Sequence, residues 1–290
     1  MEIKARQLPA KQNNFSGTLK ALYRNKPAFV GLILVILFFA FAYIGPVYLP
    51  MSAATKISID RLAPPSSDHW FGTDGLGRDV FARIVNGAGV TLTMGFIPVG
   101  ISMLVGMLLG ASAAYFGGWL DNVIMRICDI LTCIPSILLS ITMVAVLGTG
   151  LTNMVIAITV TSIPGRTRYV RSVVLGITGQ DYVEAARACG TKPLGLMFRH
   201  ILPNAFGPLL LSATSSIAGM IMLGAGLSFL GLGLQPPYPE WGSMLMDARD
   251  HIRTSAHLFY FPGAFIVTAM LAFNMLGDGL RDVLDPKLKR

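Results

Sequence analysis

The stretch Val90–Tyr115, VTLTMGFIPVGISMLVGMLLGASAAY, contains no charged residue and decides the class of fold. A helix needs about 20 apolar residues to cross the roughly 30 Å hydrocarbon core of a bilayer, and this run exceeds that length. Five further apolar segments are long enough, or nearly so: Ala28–Leu49, Val123–Leu147, Leu151–Val170, Ala205–Leu230 and Leu258–Leu276. The sequence therefore predicts an all-α polytopic membrane protein with six transmembrane helices.

Two local features concern individual spans. The fourth span is the weakest, because Pro164, Arg166 and Arg168 end its apolar part early. Gly106 and Gly110 form a G-x-x-x-G pair in the second span, and small residues at that spacing let two membrane helices approach closely. Most of the glycines are therefore expected to serve helix packing.

The composition agrees with a membrane protein. Of the 290 residues, 53% are hydrophobic and 13% are charged, whereas soluble domains have roughly 25% charged residues. The net charge of +8 is compatible with nucleic-acid binding or with asymmetric membrane loops, so the distribution of basic residues has to decide. The three cysteines predict no disulfide framework.

The basic residues predict the orientation. If the amino-terminal tail is cytoplasmic, 17 of the 23 lysines and arginines fall on the cytoplasmic side. The positive-inside rule then favours both termini in the cytoplasm, and it explains the positive charge without nucleic acid. The predicted divisions are a cytoplasmic tail 1–27, a first span 28–49, an external segment 50–88, a core 89–276 with a cytoplasmic loop 171–203 and an external loop 231–257, and a cytoplasmic tail 277–290.

A charged segment interrupts the apolar pattern between the fourth and fifth spans. It has the sequence DYVEAARACG from Asp181 to Gly190, and an ILP tripeptide ends further on at Pro203. Asp181 and Glu184 have the spacing of a capping-box variant, and Gly190 suits the left-handed residue that ends a helix. The sequence predicts a short helix over Tyr182–Cys189 whose alanines allow another surface to come close. A solvated connector that touches nothing is the alternative.

Motifs for enzymatic chemistry are missing from the sequence. It contains no G-x-x-x-x-G-K-[ST] phosphate loop, no H-E-x-x-H motif and no G-x-S-x-G elbow. Arg126 and Asp129 are predicted to pair with each other near the cytoplasmic interface rather than to relay protons. His251 and His257 are six residues apart, which does not stack ligands on one helix face, so no metal site is expected.

Four stretches of the sequence together resemble one family. The E-A-A-x-x-x-G pattern at 184–190 with Leu202-Pro203 resembles the coupling loop of permease subunits in binding-protein-dependent ATP-binding-cassette importers. One departure is His200, where isoleucine is usual. The other three stretches resemble the second permease of the dipeptide, oligopeptide and nickel branch. They contain Gly72, Thr73, Asp74, Gly77, Arg78 and Asp79; then Pro239, Glu240, Trp241 and Gly242; and then Gly277, Asp278, Arg281, Asp282, Asp285 and Pro286.

The resemblance, which covers nearly the whole chain, implies a mechanism and a set of partners. The fold would be the transmembrane domain of a type I importer in the bacterial cytoplasmic membrane. ATP and Mg would bind on two separate ATPase subunits, so that this chain is not an enzyme and holds no cofactor. The other partners would be a paralogous permease in a heterodimer, an external binding protein and membrane lipid. The implied ATPase-coupling residues are Asp181, Tyr182, Glu184, Ala185, Ala186, Arg187, Gly190, His200, Leu202 and Pro203.

The expected substrates are di- or oligopeptides, because these are the commonest cargo of the branch. A nickel or metallophore importer of the same branch is the alternative. A secondary transporter is expected to have paired repeats and buried ion ligands, and a membrane-embedded enzyme needs a convergent polar set within the spans. The sequence shows neither feature.

Overall fold

The structure is a computed structural model that describes residues 25–284, and its regular elements are helices apart from one isolated β-bridge between Thr73 and Asp79. Its α-helices in chain order are α1 Lys26–Tyr43, α2 Gly45–Tyr48, α3 Met51–Thr55, α4 Val80–Phe116, α5 Gly118–Thr132, α6 Ser136–Leu147, α7 Leu151–Thr178, α8 Asp181–Ala188, α9 Pro193–Leu196, α10 Leu202–Phe229, α11 Trp241–Ala248 and α12 His257–Leu284. A π-helical segment, Met197–Ile201, joins α9 to α10, and a 3-10 turn, Arg249–His251, follows α11.

Fewer helices than predicted are long and apolar enough to cross a bilayer. Within residues 25–284 four units qualify, and they are Lys26–Tyr48, Val80–Phe116, Pro193–Phe229 and His257–Val283. Helices α5 and α6 qualify only as a pair, which is bent by 83°. The predicted third span over Val123–Leu147 corresponds to this bent pair, whose two helices are separated by a break at and just before Pro135.

Helix α7 occupies the place of the weak fourth span. It has 28 residues, but it does not qualify as a candidate span by composition. Three arginines, Arg166, Arg168 and Arg171, lie in its second half and lower the mean hydropathy. The sequence thus located the weakest span correctly, and the structure supports four or five spans by length and composition.

Helices extend into two of the predicted connecting segments. Helix α4 begins at Val80 instead of near Val90, so the external segment 50–88 ends in nine helical residues. The early start has a local cause, since the Asp79 side chain accepts a hydrogen bond from the Ala82 amide at 2.7 Å and caps the helix. In the cytoplasmic loop 171–203, the residues up to Thr178 continue α7.

Helices α4 and α7 form the most extensive pair in the described bundle. A Cβ at Gly106 would lie 2.6 Å from the Arg166 Cβ, and a Cβ at Gly110 would lie 2.9 Å from the Arg171 amide nitrogen. Only glycine lets the two backbones come this close. The prediction that the G-x-x-x-G pair serves helix packing is therefore confirmed.

The first and last helices also pack side by side. The Asn25 Oδ1 atom accepts a hydrogen bond from the Ala28 amide at 3.3 Å and caps α1. The same side chain donates through Nδ2 to Asp282 Oδ2 at 3.0 Å. The start of α1 and the end of α12 consequently lie at the same end of the bundle.

Candidate functional sites: the coupling segment and the external cluster

Helix α8 contains the charged segment that the sequence singled out. It begins at Asp181 after an N-cap at Gln180, and no side chain caps it. The predicted capping box of Asp181 and Glu184 is therefore wrong. Both carboxylates instead lie in the first turn, where their negative charge interacts favourably with the positive end of the helix dipole.

Gly190 ends this helix in the manner predicted. Its φ angle is +83°, in the left-handed region. Its amide donates to the Arg187 carbonyl at 3.0 Å, and the Thr191 amide donates to the Ala186 carbonyl at 3.2 Å. These bonds satisfy carbonyl groups at the end of the helix. Glycine is favoured at this place because it adopts the left-handed conformation without a Cβ penalty.

One side chain anchors α8 to the bundle. Val183 is fully buried and is the only buried residue of the helix. It belongs to an apolar cluster that includes Val174 and Ile177 of α7 and Leu196 and Ile201 of the segment after α8. The other residues of α8 that the sequence predicts to couple to an ATPase are exposed or half-buried, namely Asp181, Tyr182, Glu184, Ala185, Ala186 and Arg187. The helix is thus fixed on one side and open on the others.

The predicted coupling segment comprises α8 and three later residues, His200, Leu202 and Pro203. These three lie at or just before the start of α10. His200 is half-buried in the π-helical segment, and its carbonyl accepts a hydrogen bond from Asn204 Nδ2 at 2.6 Å. Leu202 and Pro203 form the first turn of α10. Ile201, between His200 and Leu202, belongs to the apolar cluster that holds Val183, so both parts of the segment share one apolar core.

Two ion pairs connect α7 to α5 close to the coupling segment. Arg171 donates to both carboxylate oxygens of Asp121, with 2.6 Å between Nε and Oδ1. Arg168 donates to Asp129 Oδ1 at 3.0 Å. The predicted pair of Arg126 and Asp129 is therefore wrong. A residue 39 positions away in sequence holds the Asp129 carboxylate, and local spacing gives no sign of such a partner.

The motif residues of the predicted external segment form a second polar cluster at the start of α4, named the external cluster after that prediction. The Asp74 carboxylate accepts hydrogen bonds from the amides of Leu76 and Arg78 at 2.9 and 3.0 Å. It also accepts from Arg78 Nε at 2.7 Å. Gly77 makes the tight turn between them with φ +78°. This turn leads directly into Asp79, the cap of α4.

The second external motif holds α11 against α4. Glu240 is fully buried, and its carboxylate accepts hydrogen bonds from the amides of Gly242 and Ser243, both at 2.8 Å. The Trp241 indole, also fully buried, donates to the Ile84 carbonyl at 2.9 Å. These bonds fix the position of α11, so that its Asp247 lies beside the first cluster.

Asp247 and Arg83 complete the external cluster, and sequence reasoning missed both. Asp247 Oδ2 lies 3.6 Å from Arg78 Nη2 and 3.8 Å from Arg83 Nη2. Burial raises the pKa of the Asp247 carboxyl, although Arg83 and Arg78 act to lower it. Neither residue belongs to the four stretches that carry the family resemblance, and the two come together only when the chain folds.

The carboxy-terminal motif serves helix packing and the end of the bundle. A Cβ at Gly277 would lie 2.8 Å from Ser215 Oγ of α10. Asp278, Arg281 and Asp282 are exposed. The remaining predicted residues, Asp285 and Pro286, lie outside the described residues.

The two sites lie at opposite ends of α4. Ile84 near its start contacts α11, whereas Ala111 near its end belongs to the cluster of Val183. The 27 residues between them correspond to about 40 Å of helix. Neither site suggests a metal centre, since no group of three or more His, Cys, Asp or Glu suited to a metal occurs within residues 25–284.

Comparison with known proteins identifies the family. Residues 102–290 match the model of the binding-protein-dependent transport system inner membrane component. The chain belongs to this family. Residues 15–65 also match the N-terminal transmembrane domain of oligopeptide transport permease C. The protein is therefore a multi-pass permease subunit of a bacterial inner-membrane importer, a class that works with ATPase and binding-protein partners.

Individual relatives match the sequence of this permease along most of its length. It is 46% identical over 270 residues to a dipeptide transport system permease protein of Alkalihalophilus pseudofirmus, covering 93% of this chain and 89% of the relative. It is 45% identical over 258 residues to a glutathione transport system permease protein of Pectobacterium atrosepticum, covering 89% and 86%. The secondary-transporter and membrane-enzyme alternatives are set aside by these matches.

A solved structure supports the fold. An inward-facing structure of the MetNI methionine transporter aligns with a TM-score of 0.58 and 24% identity, and the alignment covers 69% of this chain and 96% of that chain. The transmembrane fold of a type I importer is therefore confirmed.

Proposed function

We propose that this permease forms half of the translocation pathway of an ATP-driven importer of small peptides. The observation that carries the proposal is the 46% and 45% identity, along nearly the whole chain, to permeases named for dipeptide and for glutathione transport. Both cargoes are short peptides with a free carboxylate and a free amino group. No comparable observation favours a nickel or metallophore cargo.

Helix α8 is the element that couples ATP hydrolysis to transport. An ATPase subunit binds its exposed surface and moves it, and Val183 transmits the motion because it is buried against α7. The next turn of α7 toward the membrane carries Arg171, which the bidentate contact to Asp121 ties to α5. A displacement of α8 thus acts on two helices of the bundle, as a switch between two packed states requires.

The permease crosses the membrane six times, with α5–α6 as a bent third span and α7 as the fourth. In α7, Arg168 forms an ion pair with Asp129 and Arg171 forms one with Asp121. These pairs lower the free-energy cost of placing arginines near the membrane surface. Contact between Asn25 and Asp282 supports tails 1–27 and 277–290 on one side. The basic bias supports the cytoplasm as that side.

A second, paralogous permease completes the pathway. Three of the four motifs resemble the second of two permeases, which favours a heterodimer over a homodimer. The complete importer then contains one copy of this chain, its paralogue, two ATPase domains that hold ATP and Mg, and an external binding protein.

Reporter fusions test the six-span topology. Fusions of a periplasm-active reporter at residue 10 and within the segment near residue 60 are expected to give opposite signals, with activity only near residue 60. A fusion after residue 190 is expected to be inactive like the first. Equal signals at residues 10 and 60 would contradict the topology.

Uptake measurements test the substrate class. Cells that express this permease with its paralogue, ATPases and binding protein are expected to take up a labelled dipeptide. Unlabelled dipeptides and glutathione should compete, and Ni²⁺ should not. A matched strain without this chain should show background uptake. Uptake of ⁶³Ni without peptide uptake would overturn the peptide assignment and favour the alternative of the same branch.

A further inference from the structure

A solvent-open cavity lies between the external cluster and α11. Its volume is about 410 Å³, within the range of roughly 300–1,000 Å³ that is typical of small-ligand sites. Arg78 and Arg83 line its buried side, whereas Asp247 and Asp250 line it from the exposed side. The apolar part of its wall comes from Leu76, Val80, Met244, Met246 and Leu258. The cavity thus combines apolar walls with a few converging charged groups.

Arg83 is the group in this cavity whose hydrogen bonding is incomplete. Its side chain is 3% exposed, yet Nη1 has no hydrogen-bond partner within residues 25–284. Its contacts to Asp74 and Asp247 are 3.5 and 3.8 Å long, beyond the ordinary hydrogen-bond range of about 2.7–3.2 Å. A buried guanidinium without close acceptors is costly. Arg83 therefore has donors available for a carboxylate.

Asp247 is the complementary group on the exposed side. Its side chain is 36% exposed, and its contacts to Arg78 and Arg83 are both 3.6 Å or longer. Asp74, in contrast, is occupied by three short hydrogen bonds from Arg78 and Leu76. Asp250 pairs with the neighbouring Arg249, with 3.3 Å between Nε and Oδ1. Asp247 is consequently the carboxylate of this group that is open to a cation.

The charge balance of the cluster limits the class of ligand. Two arginines, Arg78 and Arg83, face two aspartates, Asp74 and Asp247, so the buried cluster is neutral. A simple anion would add a third negative charge beside the two aspartates, and a simple cation would meet two arginines. A zwitterion adds no net charge and offers one end to each type of group.

We propose that this cavity is an entry site for a zwitterionic small peptide, whose carboxylate binds Arg83 and whose ammonium group binds Asp247 at the rim. A shift of the exposed Asp247 side chain opens Arg83 to the ligand carboxylate. The methionines of the wall adapt to different peptide side chains, since their unbranched chains change shape readily. The inference rests on the proposed peptide import and adds a binding site within this subunit.

Binding measurements on the assembled complex test the site. The complex is reconstituted in lipid nanodiscs without its binding protein, and the Kd of a labelled dipeptide is compared with those of its C-terminal amide and its N-acetyl derivative. Each blocked peptide is expected to bind about tenfold or more weakly, because each loses a charge-assisted contact. Arg83→Gln should weaken binding of the free dipeptide to the same extent.

Two further variants keep the test decisive. Arg253→Gln removes an exposed external arginine that does not line the cavity, and it should leave the Kd unchanged. Asp247→Asn alters an exposed side chain, and it should abolish the preference for the free peptide over the N-acetyl peptide. If Arg83→Gln fails to assemble, the Kd values of the two blocked peptides and of the Asp247→Asn complex still test whether the site binds the peptide.

Several results would overturn the site. They are equal binding of free and amidated peptide, unchanged binding in an assembled Arg83→Gln complex, or no detectable peptide binding. Weaker docking of the binding protein to Arg83→Gln, with peptide binding intact, would mean that Arg83 binds a carboxylate of that protein. Wild-type peptide uptake alongside any of these results would leave the proposed function standing. Absence of wild-type uptake would instead refute the proposed function.

Discussion

Gly190→Leu and Glu184→Lys are each expected to abolish uptake while leaving the permease in the membrane at its normal level. Gly190 has φ +83°, a conformation that costs an L-residue about 1–2 kcal/mol. A Cβ there would meet no atom of residues 25–284 within 4 Å, so the added side chain projects where the ATPase is proposed to bind. Glu184 is exposed, and reversing its charge changes its interaction with the helix dipole by at most about 2 kcal/mol. Loss of transport would thus report the partner contact.

Matched substitutions separate this contact from local unfolding. Gly179 precedes α8, has φ −91° and also has open space around its Cβ position. We expect Gly179→Ala to transport normally and Gly190→Ala to be impaired. Uptake is measured with labelled dipeptide, and membrane level by immunoblot. Full transport by Gly190→Leu and Glu184→Lys would contradict the coupling role of α8.

Gly110→Leu is expected to destabilise the whole bundle. A Cβ at Gly110 would press on the Thr167 carbonyl oxygen and lie 2.9 Å from the Arg171 amide nitrogen. Overpacking costs about 1–3 kcal/mol even where side chains can yield, and here the obstacles are backbone atoms. We expect the apparent Tm of the detergent-solubilised protein to fall by roughly 5–10 °C, or the protein not to accumulate at all.

Gly100 provides the control for this substitution. It lies on the same helix and is exposed, and a Cβ at its position would meet no atom of the described part of the chain within 4 Å. Gly100→Leu is therefore expected to change the apparent Tm by little, as measured by fluorescence-detected size exclusion after heating. An equal loss of stability in both variants would mean that the close contact of α4 and α7 is not responsible.

The sequence predicted the features that depend on local composition. Apolar runs located the candidate spans, and the arginines near Pro164 located the weakest one. Gly190 was predicted to be left-handed, because a helix end favours glycine there. Gly106 and Gly110 were predicted to face another helix from their spacing alone. Each of these properties depends on a single stretch of chain, so each could be inferred before folding.

Features that depend on distant partners could not be predicted. Asp129 lies three residues from Arg126, yet it binds Arg168 on another helix. The partner Asp247 is separated from Arg83 by more than 160 residues, and only the capping of α11 by Glu240 brings it to the cluster. The shape of the third span likewise depends on how α6 packs, since a proline specifies where a chain bends but not by how much.

Cysteine crosslinking from α8 tests the central claim most directly. In a variant without Cys128, Cys133 and Cys189, a cysteine replaces the exposed Ala185, and the importer is assembled with its ATPases. A control cysteine replaces Ser67, which is exposed in the external segment. The account predicts a crosslink from position 185 to an ATPase subunit and none from position 67. Free labelling of position 185 by a water-soluble maleimide in the assembled complex, without an ATPase crosslink, would contradict it.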